Sequence, residues 1–228
     1  FRGLVRLDPA RCLTCGIWKK RARDLTLDEY ARLLPSFAKV PIWVTLSGGD
    51  QFLRADLDQI VERVRQDIEP QIINIPMNGV VTGRIFSLLP RIAQASRGSQ
   101  LVLNLSVDEV GEAHDRIRGV PGNFAKQLKV AELIRDLKRR HDHIVMGVHT
   151  VISKANVARI DVIERELRRI FAPDSFITEV AERRVELDTM ERDITPSPQE
   201  YRTAVAHLRR GIAEQRSWRP LTRLVQAM

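Results

Sequence analysis

The chain has 228 residues, of which 43% are hydrophobic, so it is long enough to bury one sizeable core. No apolar run approaches the roughly 20 residues needed to cross a bilayer, which argues against a membrane span. A net charge of +8 would suit nucleic acid, an anionic substrate or an acidic partner protein. However, basic and acidic residues are mixed along predicted helices, a pattern that favours solvated helix faces and disfavours nucleic acid as a partner.

The two cysteines, Cys12 and Cys15, are separated by two residues and lie near the N-terminus. Two thiolates at this spacing are typical of a metal or iron–sulfur site. A zinc knuckle would need two further ligands, and the chain has no second cysteine pair. The spacing also indicates a reducing compartment, and we expect a cytoplasmic protein. Phe1 in place of Met suggests an excerpt or a processed start.

Short β-rich runs alternate with longer segments of helical period, which is typical of repeated βα units around a parallel sheet. Capping-box sequences at Thr26–Glu29 and Ser197–Glu200 indicate helix starts, and Asn123 is a further N-cap candidate. The sequence predicts an α/β fold, an open (β/α)6 partial TIM barrel with parallel strands. The candidate strands are Leu4–Leu7, Ile42–Leu46, Ile72–Ile75, Leu101–Leu105, Ile144–Ile152 and Phe176–Val180.

Polar and glycine motifs follow three of these strands. Ser47-Gly48-Gly49-Asp50 follows the second predicted strand, Asn78-Gly79 the third, and Ser106 and Asp108 the fourth. Each motif alone would be an ordinary turn. Because ligands of parallel α/β folds bind at the carboxyl ends of the strands, the motifs together predict one ligand site.

In this order, the cysteine pair and the motifs resemble the radical S-adenosylmethionine (radical SAM) superfamily over essentially the whole chain. His114–Phe124, Ile177–Leu187 and Asp193–Ser197 resemble a subgroup close to the SPASM-like members. The resemblance implies a barrel core over residues 1–182 and a C-terminal helical segment, 183–228, that completes or flanks it. Members of that subgroup usually continue into an extension with further cysteines. This sequence stops at Met228 with none of these, so we expect either an excerpt that ends before the extension or a member that never had it.

Family members hold a [4Fe-4S] cluster through a Cys-x3-Cys-x2-Cys loop and leave one iron open to SAM. Cys12 and Cys15 match the second and third cysteines, and the place of the missing first cysteine falls on Asp8. Thiolates suit iron because they are soft, anionic donors, whereas a carboxylate is harder and less donating. Three explanations stay open: a shortened or incomplete loop, ligation by Asp8, or loss of the cluster in a pseudoenzyme.

The resemblance also implies a site for SAM. Gly48, Gly49 and Asp50 resemble the Gly-Gly-Glu motif that binds the amino group of SAM, with a carboxylate one methylene shorter. Asn78 resembles a residue near the adenosine pocket.

Further ligand contacts are implied after the fourth predicted strand. Ser106 and Asp108 resemble a Ser-x-Asp pair that meets the ribose and the methionine carboxylate, or the substrate. Arg118 would be a clamp for a carboxylate, because guanidinium offers a bidentate fork. In the fifth predicted strand, His149 could point into the barrel, although such a histidine is more often a hydrogen-bonded core residue.

The function implied by the family is reductive cleavage of SAM to a 5′-deoxyadenosyl radical, which abstracts hydrogen from an unknown substrate. That substrate could be a small molecule, a peptide or a lipid-linked molecule, and the electron donor a flavodoxin or ferredoxin. The resemblance assigns no catalytic side chain beyond these ligands. Two alternatives stay open: a catalytically silent member that acts as a binding module, which the missing cysteine favours, and a basic RNA-binding αβ protein.

Overall fold

A computed structural model describes residues 8–19, 23–37, 39–40 and 42–214. Within this part, five strands form one parallel sheet in chain order, an open partial barrel that confirms the predicted α/β fold. The first predicted strand, Leu4–Leu7, lies outside the described residues. The strands are β1 (Trp43–Thr45), β2 (Ile72–Met77), β3 (Gln100–Ser106), β4 (Ile144–Ile152) and β5 (Ser175–Val180).

Helices connect the strands, as βα units require. Both capping boxes are confirmed: Thr26 accepts from the Glu29 N–H at 3.2 Å, and Glu200 accepts from the Ser197 N–H at 2.8 Å. The prediction of Asn123 as an N-cap is wrong, because Gly122 holds that position. The helices are α1 (Leu27–Leu33), α2 (Leu57–Asp67), α3 (Thr82–Ala95), α4 (Glu112–Arg118), α5 (Asn123–Lys138), α6 (Ile160–Phe171) and α7 (Pro198–Glu214).

The main core lies between one face of the sheet and the helices. Alternate residues of each strand pack there, for example Ile73 and Ile75 of β2 and Leu103 of β3, together with Leu89 of α3 and Ile134 of α5. Strands of a parallel sheet are buried on both faces, which explains their nearly continuous apolar sequence. This packing fixes the opposite face as the interior of the barrel.

The barrel interior changes character along the strands. Near their amino ends, Ile72 and Val102 form a small apolar cluster. Two residues further along each strand, on the same face, a polar row begins. In it, Asn104 donates to Asn74 at 2.7 Å and Asn74 donates to Thr45 at 3.3 Å. The interior therefore becomes polar towards the carboxyl ends of the strands.

The end of the described chain packs against α6. Ala204 of α7 is buried beside Ile152, Val157 and Ile160. The predicted C-terminal helical segment is thus helical from Pro198, while no helix forms over the described residues 183–197. Among the helices of the described part, none is long and apolar enough to cross a membrane.

Candidate cofactor site

A cavity of about 270 Å³ opens at the carboxyl ends of the strands, where the motifs were predicted to meet. The cysteine loop, residues 12–15, lines one part of the cavity, and the ends of β4 and β5 line another part with His149, Val151 and Glu179. Asp50 and Asp108 are buried and are not among the described residues that line the cavity. The predicted residues that do line it are Asp8, Cys12, Cys15, Gly48, Gly49, Asn78, Ser106 and Arg118.

The cysteine loop carries two free thiols, Cys12 buried and Cys15 partly exposed. The loop is bound to the end of α4, because the Leu13 N–H donates to the Ile117 carbonyl at 2.9 Å. Burial raises the pKa of the Cys12 thiol to about 11, and burial also raises the pKa of Cys15. Both groups are therefore thiols at neutral pH until a metal displaces their protons.

Asp8 lies in the same cavity as the two thiols. Its Oδ1 atom accepts from the Ala10 N–H at 2.8 Å and from Asn78 Nδ2 at 3.2 Å, and burial raises its pKa. Among the described residues, no three His, Cys, Asp or Glu side chains are arranged to hold a single metal ion. An iron–sulfur cluster makes a different demand, because each protein ligand binds its own iron.

Asp50 begins a short 3-10 helix, Gln51–Leu53, beside Gly48 and Gly49. Its Oδ1 atom accepts from the Phe52 N–H at 3.0 Å. Its Oδ2 atom is buried and accepts no hydrogen bond of good geometry within the described part of the chain. Burial raises the pKa of Asp50 to about 6, although the nearby Asn78 side chain lowers this pKa somewhat. A buried carboxylate oxygen without a donor is costly, and an ammonium group of a ligand would satisfy it.

Arg118 joins the strand ends to the cysteine loop. Its Nε atom lies 2.7 Å from Asp108 Oδ2, and its Nη1 atom contacts Cys12 Sγ at 3.8 Å. Although burial opposes it, the Asp108 carboxylate raises the pKa of Arg118. The predicted carboxylate clamp is thus already paired with a carboxylate of the protein, while part of Arg118 still lines the cavity.

Asp108 is itself held on several sides. Its Oδ1 atom accepts from the Val151 N–H at 2.8 Å, and its own N–H donates to His114 Nδ1 at 3.1 Å. His114 Nε2 then donates to Asn123 Oδ1 at 2.8 Å, since Nδ1 is the acceptor. Asn123 therefore serves this network rather than capping α5.

The Asn78-Gly79 motif forms the turn after β2. Asn78 Oδ1 accepts from the Val80 N–H at 2.9 Å, and Gly79 has a φ of 73°. A Cβ atom at position 79 would lie 2.9 Å from the Gln127 side chain, so both the conformation and the contact require glycine. The turn places Asn78 at the cavity and beside Asp8.

Sequence reasoning missed Arg192, which contacts the cysteine loop. Arg192 donates from Nη1 to the carbonyls of Cys12, Leu13 and Cys15 at 3.0 to 3.2 Å. Arg192 lies 180 residues from Cys12, between the last two stretches that resemble the subgroup and outside both, so the sequence offered no local signal for it.

The cavity is also lined by ionisable side chains of β4, of β5 and of the residues just after β5, which the motifs do not explain. His149 Nε2 lies 3.4 Å from Glu179 Oε2, and this contact lowers the pKa of Glu179. Glu182 and Arg184 form a second pair at 2.7 Å. These side chains line the same cavity as the cysteine loop.

These features fit an iron–sulfur cluster together with a second ligand that carries an ammonium group. Asp8, Cys12 and Cys15 supply three donor side chains in one cavity, and the unpartnered Asp50 oxygen suits an ammonium. The geometry defines an α/β partial barrel with a candidate cofactor site at the carboxyl ends of its strands.

Comparison with known families gives the class a name. The model of the Radical SAM superfamily matches residues 9–167, and the chain belongs to this superfamily. The match begins just after Asp8 and covers β1 to β4, but not β5.

Two curated relatives share part of the sequence. The chain is 29% identical over 143 residues to an AdoMet-dependent heme synthase of Methanosarcina barkeri, covering 61% of this chain and 37% of that protein. It is 32% identical over 140 residues to a pre-heme d1 synthase of Dinoroseobacter shibae, covering 61% and 30% respectively. The matched part thus spans about a third of the length of these relatives.

Solved structures show the same fold. Native anSMEcpe with bound AdoMet and Cp18Cys peptide superposes with a TM-score of 0.71 at 14% identity, covering 93% of this chain and 58% of that one. Methylornithine synthase superposes with a TM-score of 0.64 at 14% identity, covering 90% and 60%. At this identity the likeness concerns the fold, the partial barrel of the superfamily.

Proposed function

We propose that this chain is the core of a radical SAM enzyme that binds a [4Fe-4S] cluster and SAM. The observation that carries the proposal is the convergence of Asp8, Cys12 and Cys15 with the strand-end motifs on one cavity. Superfamily membership supports it. A bound cluster would pass one electron from an external reductant to SAM, which would give methionine and a 5′-deoxyadenosyl radical able to abstract hydrogen from the substrate.

Cys12 and Cys15 would hold two irons of the cluster, and Asp8 would hold the third. The Asp8 carboxylate lies in the same cavity, and its Oδ1 atom is fixed by two hydrogen bonds. A shortened loop stays the alternative explanation for the missing cysteine. The two explanations differ in whether the aspartate itself is needed for the cluster.

Residues at the ends of β1 to β3 would orient SAM. Gly48 and Gly49 allow the backbone to approach the ligand, and the unpartnered oxygen of Asp50 would accept from its ammonium group. Asn78 and Ser106 line the cavity where the adenosine and ribose would bind.

Arg118 would meet the methionine carboxylate of SAM. Asp108 would hold Arg118 in place, since the ion pair between them is buried. Arg118 would thus touch the ligand, whereas Asp108 would position Arg118.

The substrate would enter beside His149 and Glu179, which line the same cavity as the cysteines. The names of both curated relatives refer to heme, but the matched part covers only a third of each, so the substrate class stays open among small molecules, peptides and lipid-linked molecules. The free thiols suit a reducing compartment such as the cytoplasm, where a flavodoxin or ferredoxin would supply electrons.

A catalytically silent protein is the second candidate, and Asp8 in place of a cysteine is the observation that favours it. Such a protein would bind SAM without cleaving it.

Anaerobic reconstitution with iron and sulfide, followed by iron and sulfide analysis and EPR of the reduced sample, separates the two candidates. The enzyme assignment predicts a [4Fe-4S] signal that changes on adding SAM and is lost in Cys12→Ala and Cys15→Ala. SAM binding by calorimetry without any cluster signal would favour the silent protein.

A further inference from the structure

The segment after β5, residues 184–194, folds back over the cysteine loop. The Gly16 N–H donates to the Leu187 carbonyl at 2.6 Å, and the Lys19 ammonium pairs with the Asp188 carboxylate at 2.9 Å. A Cβ atom at position 16 would lie 2.8 Å from both the Leu187 oxygen and Asp188 Cβ. The two segments therefore touch along their backbones, an approach that glycine permits at position 16.

Arg192 adds a charged contact to this interface. Its Nη1 atom donates to the carbonyls of Cys12 at 3.2 Å, Leu13 at 3.0 Å and Cys15 at 3.2 Å. Because Nη1 carries two hydrogens, the three carbonyls share them. A single guanidinium thus fixes the backbone at both cysteines, through bonds that its charge makes stronger than neutral ones.

The 184–194 segment holds Arg192 in a preset position. The buried Thr189 hydroxyl accepts from the Arg184 N–H at 2.8 Å, and the Arg192 N–H donates to the Thr189 carbonyl at 3.0 Å. The Lys154 N–H ties the end of the segment to β4 through the Ile194 carbonyl at 2.9 Å. Asp188 has a φ of 52°, a left-handed conformation that a non-glycine residue keeps only when its surroundings impose it.

The geometry points to Arg192 as the positioning residue of the cysteine loop. It orients Cys12 and Cys15 for iron, and its charge offsets the negative charge that thiolates acquire on ligation. The role in cluster binding rests on the proposed function, whereas the restraint on the loop is a property of the protein alone. The inference therefore extends the site to a side chain about 180 residues from the cysteines.

The test compares wild type with Arg192→Gln, Arg192→Lys and the control Arg183→Gln, which removes the same charge from an exposed position just before the segment. In reduced, chelator-treated protein, the alkylation rates of Cys12 and Cys15 are measured by peptide mass spectrometry, with circular dichroism as a check on folding. We expect Arg192→Gln to raise the Cys12 rate about tenfold, as for loss of a charge-assisted hydrogen bond. Arg192→Lys should give a smaller increase, because it keeps a donor without the fork, and Arg183→Gln should match wild type.

Wild-type alkylation rates in both Arg192 variants would overturn the inference. Should Arg192→Gln fail to fold, Arg192→Lys decides the matter by the same rates. The same proteins are then reconstituted with iron and sulfide, and a lower cluster content in the Arg192 variants than in Arg183→Gln is expected. Failure of wild type to form a cluster would count against the proposed function, while the alkylation rates would still decide the role of Arg192 in the loop.

Discussion

The Arg118 guanidinium and the Asp108 carboxylate form a buried ion pair, with 2.7 Å between Nε and Oδ2. Asp108 is fully buried at the end of β3, and Arg118 ends α4. The pair links the sheet to the cysteine loop, because Arg118 also contacts Cys12 Sγ. The same guanidinium therefore contacts both a buried carboxylate of the core and a thiol of the candidate site.

Asp108→Asn should lower the free energy of unfolding by about 3–5 kcal/mol, because it leaves the buried Arg118 charge without an anion. Urea unfolding followed by circular dichroism measures this loss. The control is Asp136→Asn, whose partner Arg139 and own side chain are both exposed, and little or no change is expected there. Equal effects of the two substitutions would contradict a structural role for the buried pair.

His114 should make the protein less stable in mild acid. Burial lowers its pKa from the ordinary 6.5 to about 4, so the folded state holds a neutral ring where the unfolded state takes up a proton. The contribution is present above pH 6.5 and is lost as the pH falls towards 4, by up to about 1.4 kcal/mol per pH unit. Unfolding free energies measured across this range should show a shallower pH dependence in His114→Gln than in wild type.

His207 should give the opposite pH dependence of the free energy of unfolding and serves as a control. Its ring contacts Asp161 and lies 2.8 Å from Glu164, and the Glu164 contact is the largest cause that raises its pKa. This contribution is present below the ordinary pKa and is lost as the pH rises through the folded value. His207→Gln should therefore lose most stability at low pH. A parallel shift of the two variants at every pH would show that neither histidine titrates as described.

Gly147→Ala should destabilise the barrel by about 1–3 kcal/mol through overpacking. A Cβ atom at position 147 would lie 1.8 Å from Asn104 Oδ1, within the polar row of the interior. Gly83→Ala is the matched control, because no atom lies within 4 Å of the added Cβ in α3, and a gain of about 0.5–1 kcal/mol is expected there. Thermal unfolding of the two variants should shift in opposite directions.

Asp8→Cys should raise the cluster content after reconstitution, because a thiolate is a better donor to iron than a carboxylate. Asp8→Ala separates the explanations for the missing cysteine: it should lower the cluster content if Asp8 is a ligand and leave it unchanged if the loop is only shortened. Iron and sulfide per chain are the measurement. A cluster content unaffected by Asp8→Cys would show that position 8 does not reach the cluster.

Much of the fold could be predicted from local sequence. β4 was predicted with its observed bounds, Ile144–Ile152, because a long β-branched run between helical segments has few alternatives. The capping box at Thr26 was equally visible, since it depends on residues three apart. Asn123 failed for the converse reason: its side chain is claimed by His114 and by the Asn78 carbonyl, partners that only the tertiary structure supplies.

In the candidate site, too, local motifs could be predicted from the sequence, whereas tertiary contacts could not. Strand-end motifs could be placed on one edge because parallel strands share their carboxyl ends, and Asn78 and Ser106 indeed line the cavity. The pairing of Arg118 with a protein carboxylate could not be predicted, because Asp108 itself was a candidate ligand. The role of Arg192 could not be predicted for a different reason. Its three acceptors are backbone carbonyls, which no side-chain pattern reveals.

We infer that this chain cleaves SAM with a cluster held at Cys12 and Cys15. The most direct test is 5′-deoxyadenosine formation from SAM by anaerobically reconstituted protein with a strong reductant, beside Cys12→Ala. We predict product from wild type, more from Asp8→Cys, and none from Cys12→Ala. No product from either wild type or Asp8→Cys, with SAM binding intact, would contradict the claim and leave a member of the superfamily that binds SAM without cleaving it.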